Sequence, residues 1–414
     1  MSKSKKKSVS RSSSHKHTKP TAPLQSGVTK IKVVGIGGGG CNAVTRMMQD
    51  PERIRGVEFI AVNTDAQDLD YASSHKKIYI GKALTHGLGA GMNPEVGKQA
   101  AEENRSEIGE MLKDADIVFV TAGMGGGTGS GASPVVAEVA REKGILTVAI
   151  VTKPFSFEGT QRMNIAQDAL ARLKEKVDAI VVIPNDKIFS IIDKDTPVMK
   201  AFSHVDEVLR NAVKSIAELI NNPGIINVDF ADIETTLKDA GPTLIGIGTA
   251  SGPDRAAKAA ELAINSPLLE ISIDGAKGVL FSIAGGKDLK MSEINEVAKT
   301  VASTLDPNAR VIFGAYYDRS LKEKVIKVTV IATGFNSSFS GNRMGVPSLF
   351  VADTSMRKEA LPDIQDKSEK DKKESVNQPT LSEKEKDKEK PTPIKPASSQ
   401  DSWEIPAFLR KKRK

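Results

Sequence analysis

From Ile31 onward the chain alternates short, near-continuous apolar runs with amphipathic stretches. IKVVGI (31–36), VEFIAV (57–62), DIVFVTAG (116–123), ILTVAIV (145–151) and AIVVIP (179–184) have the length and composition of buried strands. Among them the pattern predicts helices over 42–48, 94–112, 134–143 and 160–176, with Pro94 near the first turn of the second. Such alternation predicts a parallel sheet covered on both faces. A longer helix is predicted over 198–220, where Phe202, Val205, Leu209, Ala212 and Ile216 recur at i+3 and i+4, and NNPG (221–224) ends it. The strand runs TLIGIGTA, GVLFSIAG, ARVIFGAYY and KVIKVTVIATG then alternate with helical patterns at 253–265 and 291–304. They predict a smaller α/β domain over 241–335 with a mostly separate sheet.

Both ends lack this pattern. Residues 1–27 are basic and Ser-rich, and 360–400 are mostly Lys, Glu, Asp, Ser, Gln and Pro. Neither has enough to bury, so both are predicted to be disordered. DSWEIPAFLRKKRK (401–414) then brings apolar and aromatic residues back. An apolar cluster after a tether reads as a docking peptide; an unstructured chain end is the alternative. The net charge of +7 belongs to the ends, so it carries no message about the middle of the 414-residue chain. One cysteine, Cys41, excludes an intramolecular disulfide and a cysteine-based zinc site, and fits a reducing, cytosolic compartment. The five histidines show no metal spacing on a helix. No apolar stretch approaches the ~18 residues of a membrane span, and the basic N-terminus lacks the apolar core of a secretory signal.

Two glycine-rich loops carry the chemistry. GIGGGGCN (35–42) follows a strand and opens a helix, and Gly35-x-Gly37-x-x-Gly40 formally matches a dinucleotide fingerprint. Such a loop brings backbone close to a phosphate and points free helix N–H groups at it. Glycine-rich strand–helix turns also arise from packing alone. GMGGGTGSG (123–131) is a second loop of the same kind on a different strand, with Thr128 adding a hydroxyl. A dinucleotide fold needs one phosphate loop, whereas two on one sheet edge could wrap a di- or triphosphate from both sides. Neither contains G-x-x-x-x-G-K-[ST], so no Walker lysine is available, and the charge must be met by amides, helix dipoles, a cation and Arg162. A third glycine-rich loop, GLGAGMNPEVG (87–97), could cover the terminal phosphate. The competing reading is a dehydrogenase using Gly35–Gly40 with Asp65 on a ribose; it leaves the second loop unexplained.

GIGGGGCNAV, VNTDAQ (62–67), GLGAGMNPEVG, FVTAGMGGGTGSGASPVVAEVA, VTKPFSFEGTQR, IPND (183–186), NPGIINVDFAD and IPAFLRK are similar, segment by segment and in order, to the FtsZ family. The resemblance covers about Ile31 to Phe335 and the terminal peptide. It implies an α/β, tubulin-like fold: a parallel-sheet GTP-binding domain (28–197), a central helix (198–220), a catalytic loop and following helix (221–240), and a smaller α/β C-terminal domain (241–335). A basic extension (1–27), a disordered linker (336–400) and an adaptor-binding peptide (401–414) complete the division. It also implies a GTPase that polymerises head to tail into the bacterial division ring. That places the protein in the cytoplasm, beneath the membrane at midcell. The implied ligand is GTP or GDP, with Mg²⁺ held mainly by the phosphates rather than by a protein metal site. The implied partners are further copies of the chain and membrane adaptors of division, with no nucleic acid.

By motif match, Gly38, Gly39, Gly40, Cys41 and Asn42 would line the first phosphate loop, and Gly127, Thr128 and Gly129 the second. Gly91 would contribute from the third loop, Glu158 and Arg162 from FEGTQR, and Asn185, Phe202 and Asp206 would face the base and sugar. Cys41 departs from relatives with glycine there, and a thiol near phosphates makes alkylation an expected route of inhibition. Glu158 and Arg162 also fit a surface i,i+4 ion pair, and Phe202 a core residue. Phe202 and Asp206 lie one turn apart, so a ring could stack on a base while a carboxylate accepts from guanine N1–H and N2–H₂. Asn227, Asp229 and Asp232 are the implied catalytic residues; Asp229 also fits a helix cap and Asp232 a dipole partner. A helix of ~23 residues spans about 35 Å. The acidic loop is therefore expected at the pole opposite its own nucleotide.

Overall fold

The computed structural model describes residues 29–335, apart from 51–53, 194, 222–223, 267–272, 274 and 319–320. The N-terminal extension (1–27), linker (336–400) and docking peptide (401–414) expected from the sequence lie outside the described residues. β1 (Ile31–Ile36) runs into α1 (Gly37–Gln49), followed by β2 (Val57–Asn63), α2 (Ala66–Tyr71), β3 (Lys76–Tyr79) and α3 (Lys82–Thr85). Then come α4 (Pro94–Glu103), α5 (Arg105–Leu112), β4 (Ile117–Gly123), α6 (Thr128–Glu142), β5 (Leu146–Lys153), α7 (Thr160–Lys174) and β6 (Ala179–Pro184). The central helix α8 (Val198–Asn221) leads to β7 (Gly224–Ile226), α9 (Phe230–Leu237), β8 (Gly241–Pro242), β9 (Leu244–Ser251) and α10 (Arg255–Ile264). β10 (Gly278–Gly285), α11 (Met291–Ala302), β11 (Arg310–Tyr317) and β12 (Val325–Thr333) complete the order.

The first sheet is parallel throughout, in the order β3-β2-β1-β4-β5-β6-β8. Residue parity sorts its side chains: Val33, Phe119 and Val148 face one core with α1, α8 and α9, while Val34, Val120 and Ala149 face another with α4 to α7. The chain winds outward from β1 in both directions, so β1 and β4 are neighbours with their following helices on opposite faces. The second sheet has the order β7-β11-β10-β12-β9, with β10 and β11 parallel and the remaining pairs antiparallel. Chain position and sheet membership do not coincide at its boundary. β8 joins the first sheet although it opens the 241–335 region, and β7 joins the second although it precedes it.

Three predicted helices differ, each because of tertiary packing. α1 starts at Gly37, not Asn42, so the glycines form its first turn. α6 starts at Thr128 rather than Pro134; Gly129 to Ser133 are buried, and Gly131 has its backbone against the Pro94 carbonyl of α4. Sequence propensity disfavours helix in that glycine-rich turn, but close approach requires residues this small. The predicted 94–112 helix breaks at Asn104, whose Oδ1 accepts from Gly81 N at 3.0 Å and whose Nδ2 donates to Glu107 at 2.9 Å. The short elements α2, β3, α3, β7 and β8 carry too few periodic residues to have been predicted.

α8 joins the two halves. Leu209, Ala212, Val213, Ile216 and Ala217 share one buried cluster with Val33 and Phe119 of the first sheet and Leu280 and Ile331 of the second. Ile216→Ala should therefore cost about 2–5 kcal/mol, the usual range for an aliphatic truncation in a core. Urea denaturation followed by circular dichroism, with hydrogen exchange on strands of each sheet, should show both sheets losing protection together. Unfolding of 241–335 at a lower urea concentration than 31–197 would contradict a shared core.

Candidate functional site

The carboxyl ends of β1 and β4 open into a cavity of about 430 Å³. It is bounded by the N-termini of α1 and α6, the 88–92 loop, the 154–162 segment and the first half of α8. Neither α1 nor α6 has a side-chain cap, whereas neighbouring α2 and α4 are capped by Asp65 and Asn93. The first N–H groups of α1 and α6 are consequently available to a ligand, and both helix dipoles favour an anion there. The two loops touch. At Gly37 (φ +69°) an added Cβ would lie 2.9 Å from Gly129 N. No side chain fits between the loops, and a positive φ is open to glycine at little cost.

The structure brings Gly38, Gly39, Gly91, Gly127, Thr128, Gly129, Glu158, Arg162, Asn185, Phe202 and Asp206 around this one cavity. Gly40, Cys41 and Asn42 are not in its wall. Gly40 is small for another reason: a Cβ would stand 2.5 Å from the Thr121 carbonyl of β4. Asn42 is exposed elsewhere on α1. Cys41 is 1% exposed among Ala61, Leu69 and Ala72, its Sγ 3.7 Å from the carbonyls of Gly35 and Val62. Burial pushes its thiol up to about 12. The expected alkylation route is therefore corrected: the helix turns this residue into the core rather than toward the phosphate cradle.

Glu158 and Arg162 pair at 2.5 Å within the cavity wall, and Glu158 Oε1 also accepts from Phe155 N at 2.9 Å. Phe202 packs edge-on against buried Phe155 at 5.4 Å and stays 39% exposed, so its ring is not simply core. Asp206 is largely buried; that burial pushes its carboxyl up to about 6, opposed by Arg46, whose Nε lies 3.0 Å from Oδ2. Asn185 Oδ1 and Asn63 Nδ2 are buried in the cavity wall with no hydrogen-bond partner. Orphaned amides of this kind are satisfied by a bound polar ligand or water.

Several wall residues escaped the sequence reading. Asn63, Asp68, Leu88 and Thr152 line the cavity, and Thr64 sits behind it, sharing a 2.7 Å hydroxyl hydrogen bond with Thr128. Asn63 and Thr64 lie inside the VNTDAQ segment, the one sequence signal that could have marked them. Asp65 Oδ1 instead accepts from Gln67 N and Asp68 N, at 2.9 and 3.1 Å, and caps α2. With both glycine loops on one cavity, the single-loop dehydrogenase reading loses its support.

Asn227, Asp229 and Asp232 are exposed and outside the cavity wall. Asp229 occupies the cap position of α9, but its side chain makes no cap hydrogen bond. Asn227 Oδ1 accepts from Gly224 N at 2.6 Å. The far end of α8 is fixed by Asn221 Nδ2, which donates to the Arg55 carbonyl at 3.0 Å. Arg55 precedes the amino end of β2, at the sheet edge opposite the glycine loops.

Residues 30–193 match the model of the Tubulin/FtsZ family GTPase domain, and residues 241–336 that of the FtsZ family C-terminal domain. Among solved structures, the chain is similar to an empty FtsZ dimer from M. jannaschii, with 49% identity over 75% of this chain and 90% of that one (TM-score 0.71). A point mutant of the M. jannaschii FtsZ matches at 49% identity over 74% and 91% (TM-score 0.70). The GDP-bound CetZ1 monomer of Haloferax volcanii shares the fold at 23% identity over 75% and 95% (TM-score 0.65). The geometry at Cys41 gives a direct test. A disulfide reagent at pH 8 should label the thiol rapidly in denaturant and orders of magnitude more slowly in the folded protein, with no change on adding nucleotide. Rapid native labelling that nucleotide blocks would return the thiol to the cavity.

Proposed function

The chain belongs to the FtsZ family of tubulin-like GTPases, and on that footing we propose that it assembles head to tail and hydrolyses GTP at the junction between two subunits. The observation that carries this reading is the separation of cradle from acid. One cavity is lined by two helix N-termini and by Phe202, yet its wall contains none of Asn227, Asp229 and Asp232. α8, with 24 residues, spans about 36 Å between the cavity and the loop that follows it. A loop held near the amino ends of the strands has no path to a phosphate at their carboxyl ends. Stacking a second subunit end to end brings its loop over the first subunit's cavity, and a contact of that heterologous kind repeats into a filament. A dimer of the M. jannaschii FtsZ and a GTPγS-bound protofilament of Haloferax volcanii CetZ2 support self-association as the starting point of this reading.

In this reading the amides of Gly38, Gly39, Gly127 and Gly129 and the Thr128 hydroxyl cradle the phosphates. Asn185 and Asp206 hold the sugar and base, Phe202 stacks on the base, and the Glu158–Arg162 pair closes the sugar side. Gly91 covers the terminal phosphate. Gly40 and Asn42 act from behind the cradle. Asp229 and Asp232 of the neighbouring subunit orient and polarise the attacking water, with Asn227 shaping their loop. The cavity wall carries Asp65, Asp68, Glu158 and Asp206 against Arg162, an acidic balance that disfavours a bare triphosphate. Among the described residues no cluster of three carboxylates, histidines or cysteines could hold a metal. A Mg²⁺ ion would be held mainly by the phosphates, with Asp68 beside Gly38 in the same wall. Bound there, it supplies charge neutralisation for phosphoryl transfer.

We extend the reading to a cytokinetic ring on the cytoplasmic face of the membrane, in a bacterial or archaeal cell. Among the described residues no helix is long and apolar enough to cross a membrane. Attachment would pass through adaptors that bind 401–414. Deleting 401–414 should leave GTP turnover unchanged and abolish recruitment to adaptor-coated vesicles; lost turnover would refute the tether.

The junction is tested by turnover against protein concentration. Activity should rise more steeply than linearly. Asp232→Ala should bind GTP and sediment as filaments, yet turn over about 10²-fold or more slowly, the scale of a lost general base. Mixed with Asp206→Ala, which cannot hold guanine, it should regain activity at hybrid junctions. Turnover strictly proportional to concentration, with no rescue on mixing, would rule out the shared site.

A further inference from the structure

Arg46 takes no place in the cavity wall, in the motifs that carry the resemblance, or in the mechanism above. It stands in the last turn of α1, and its Nε meets Asp206 Oδ2 at 3.0 Å from behind the wall. The Asp206 side chain is 13% exposed, and Arg46 is the charge that opposes its burial. The other charged groups nearby are engaged elsewhere. Across the cavity Glu158 holds Arg162, and Asp65 caps α2 while Asp68 stands by Gly38. On α8 itself, Arg210 pairs with Asp50 and Glu207, and His204 with Glu207.

The protonation of a base-reading carboxyl decides which purine it fits. An ionised carboxylate only accepts, and guanine presents two donors, N1–H and N2–H₂. A neutral carboxyl has one donor oxygen, and adenine presents an acceptor at N1 where guanine presents a donor. One proton on Asp206 therefore lets the oxygen that accepts from guanine N1–H donate to adenine N1 instead, and the discrimination against adenine is lost. We propose that Arg46 is a specificity-determining, positioning residue, which keeps the cavity guanine-selective by holding the Asp206 carboxylate ionised and aimed at the base edge. Burial alone favours the neutral acid, and with Arg46 present the carboxyl already titrates at about 6. Without Arg46 that titration moves further up, toward the pH at which the protein works. The sign follows: ionisation, and guanine selection with it, is complete well above the folded-state value and fails as pH falls through it. Removing Arg46 shifts the failure upward.

This inference rests on the reading that Asp206 faces guanine, and the test separates the two. The measurement is displacement of a fluorescent GTP analogue from the full-length protein by GTP and by ATP, between pH 6 and pH 8.5. The ratio of the two affinities cancels titration of the phosphates, which the nucleotides share. Wild type should keep its GTP preference from pH 8.5 down to 7 and lose part of it near pH 6. Arg46→Gln, which keeps length and a donor but no charge, should lose about tenfold or more of the preference at pH 6.5, since one pKa unit is a tenfold change. It should recover the preference at pH 8.5, which also shows that it folds. Arg46→Lys should behave as wild type. Arg46→Met replaces Arg46→Gln if the latter fails to fold. Preference unchanged at every pH, or lost equally at every pH, overturns the role of Arg46. A preference unaffected by Asp206→Asn overturns instead the assignment of Asp206 to the base.

Discussion

The structure depends on a contact between two stretches of backbone. β1 and β4 are adjacent parallel strands, so the helices that follow them start side by side, and Gly37 meets Gly129 where no side chain would fit. Their positions put two uncapped helix N-termini on one space. Backbone amides and helix dipoles there suit an anion without the lysine that other phosphate loops use. This explains why the glycines cluster and why they do not all serve the ligand. Gly37, Gly38 and Gly39 form the wall of the cavity, whereas Gly40 keeps α1 close to β4.

α8 is the second constraint. One face of it fills the core of the first sheet while its neighbours reach Leu280 and Ile331 of the second, so the nucleotide side and the far loop are ends of one rigid element. Where α8 meets the second sheet the contact is also polar: the Tyr316 hydroxyl donates to Glu218 Oε2 at 3.0 Å, with Lys214 3.7 Å from the same carboxyl group. Burial raises the Glu218 carboxyl above its ordinary value and Tyr316 well above its own. Buried polar contacts of this sort favour one arrangement over near alternatives, because a slipped helix would leave them unpaired. A helix held in a fixed register acts as a spacer of fixed length. On the proposed reading, that fixed length is the reason a neighbouring subunit completes the site.

Electrostatically the cavity is unusual for an anion site, since carboxylates outnumber Arg162 in its wall. The fold resolves this by dividing labour. Uncapped helix amides face the cavity, and its carboxylates are tied into caps and ion pairs at Asp65, Glu158 and Asp206. Asp206 is the most exposed to failure of these arrangements, because burial works against its charge. Its ion pair with Arg46 joins α1, whose N-terminus opens onto the cavity, to α8, whose first half forms the facing wall.

Periodicity and loop chemistry along the chain determined a great deal. Apolar runs at 31–36, 116–123 and 145–151, alternating with helical patterns, read as buried parallel strands, and glycine loops after two of them pointed to one phosphate site. Local pattern carries such information because strand burial and backbone freedom are properties of a few consecutive residues. Tertiary structure decided what depends on distant partners. Asn104 breaks a helix to reach Gly81, the α6 glycines stay helical because α4 presses on them, and Cys41 turns into the core although it sits within a ligand motif. Arg46, Asn63 and Thr64 acquire roles only because α8 and α6 lie against them. Nothing in a linear pattern gives the side chain across a cavity wall, since that partner is set by the packing of elements more than 60 residues apart, as in the Thr64–Thr128 pair.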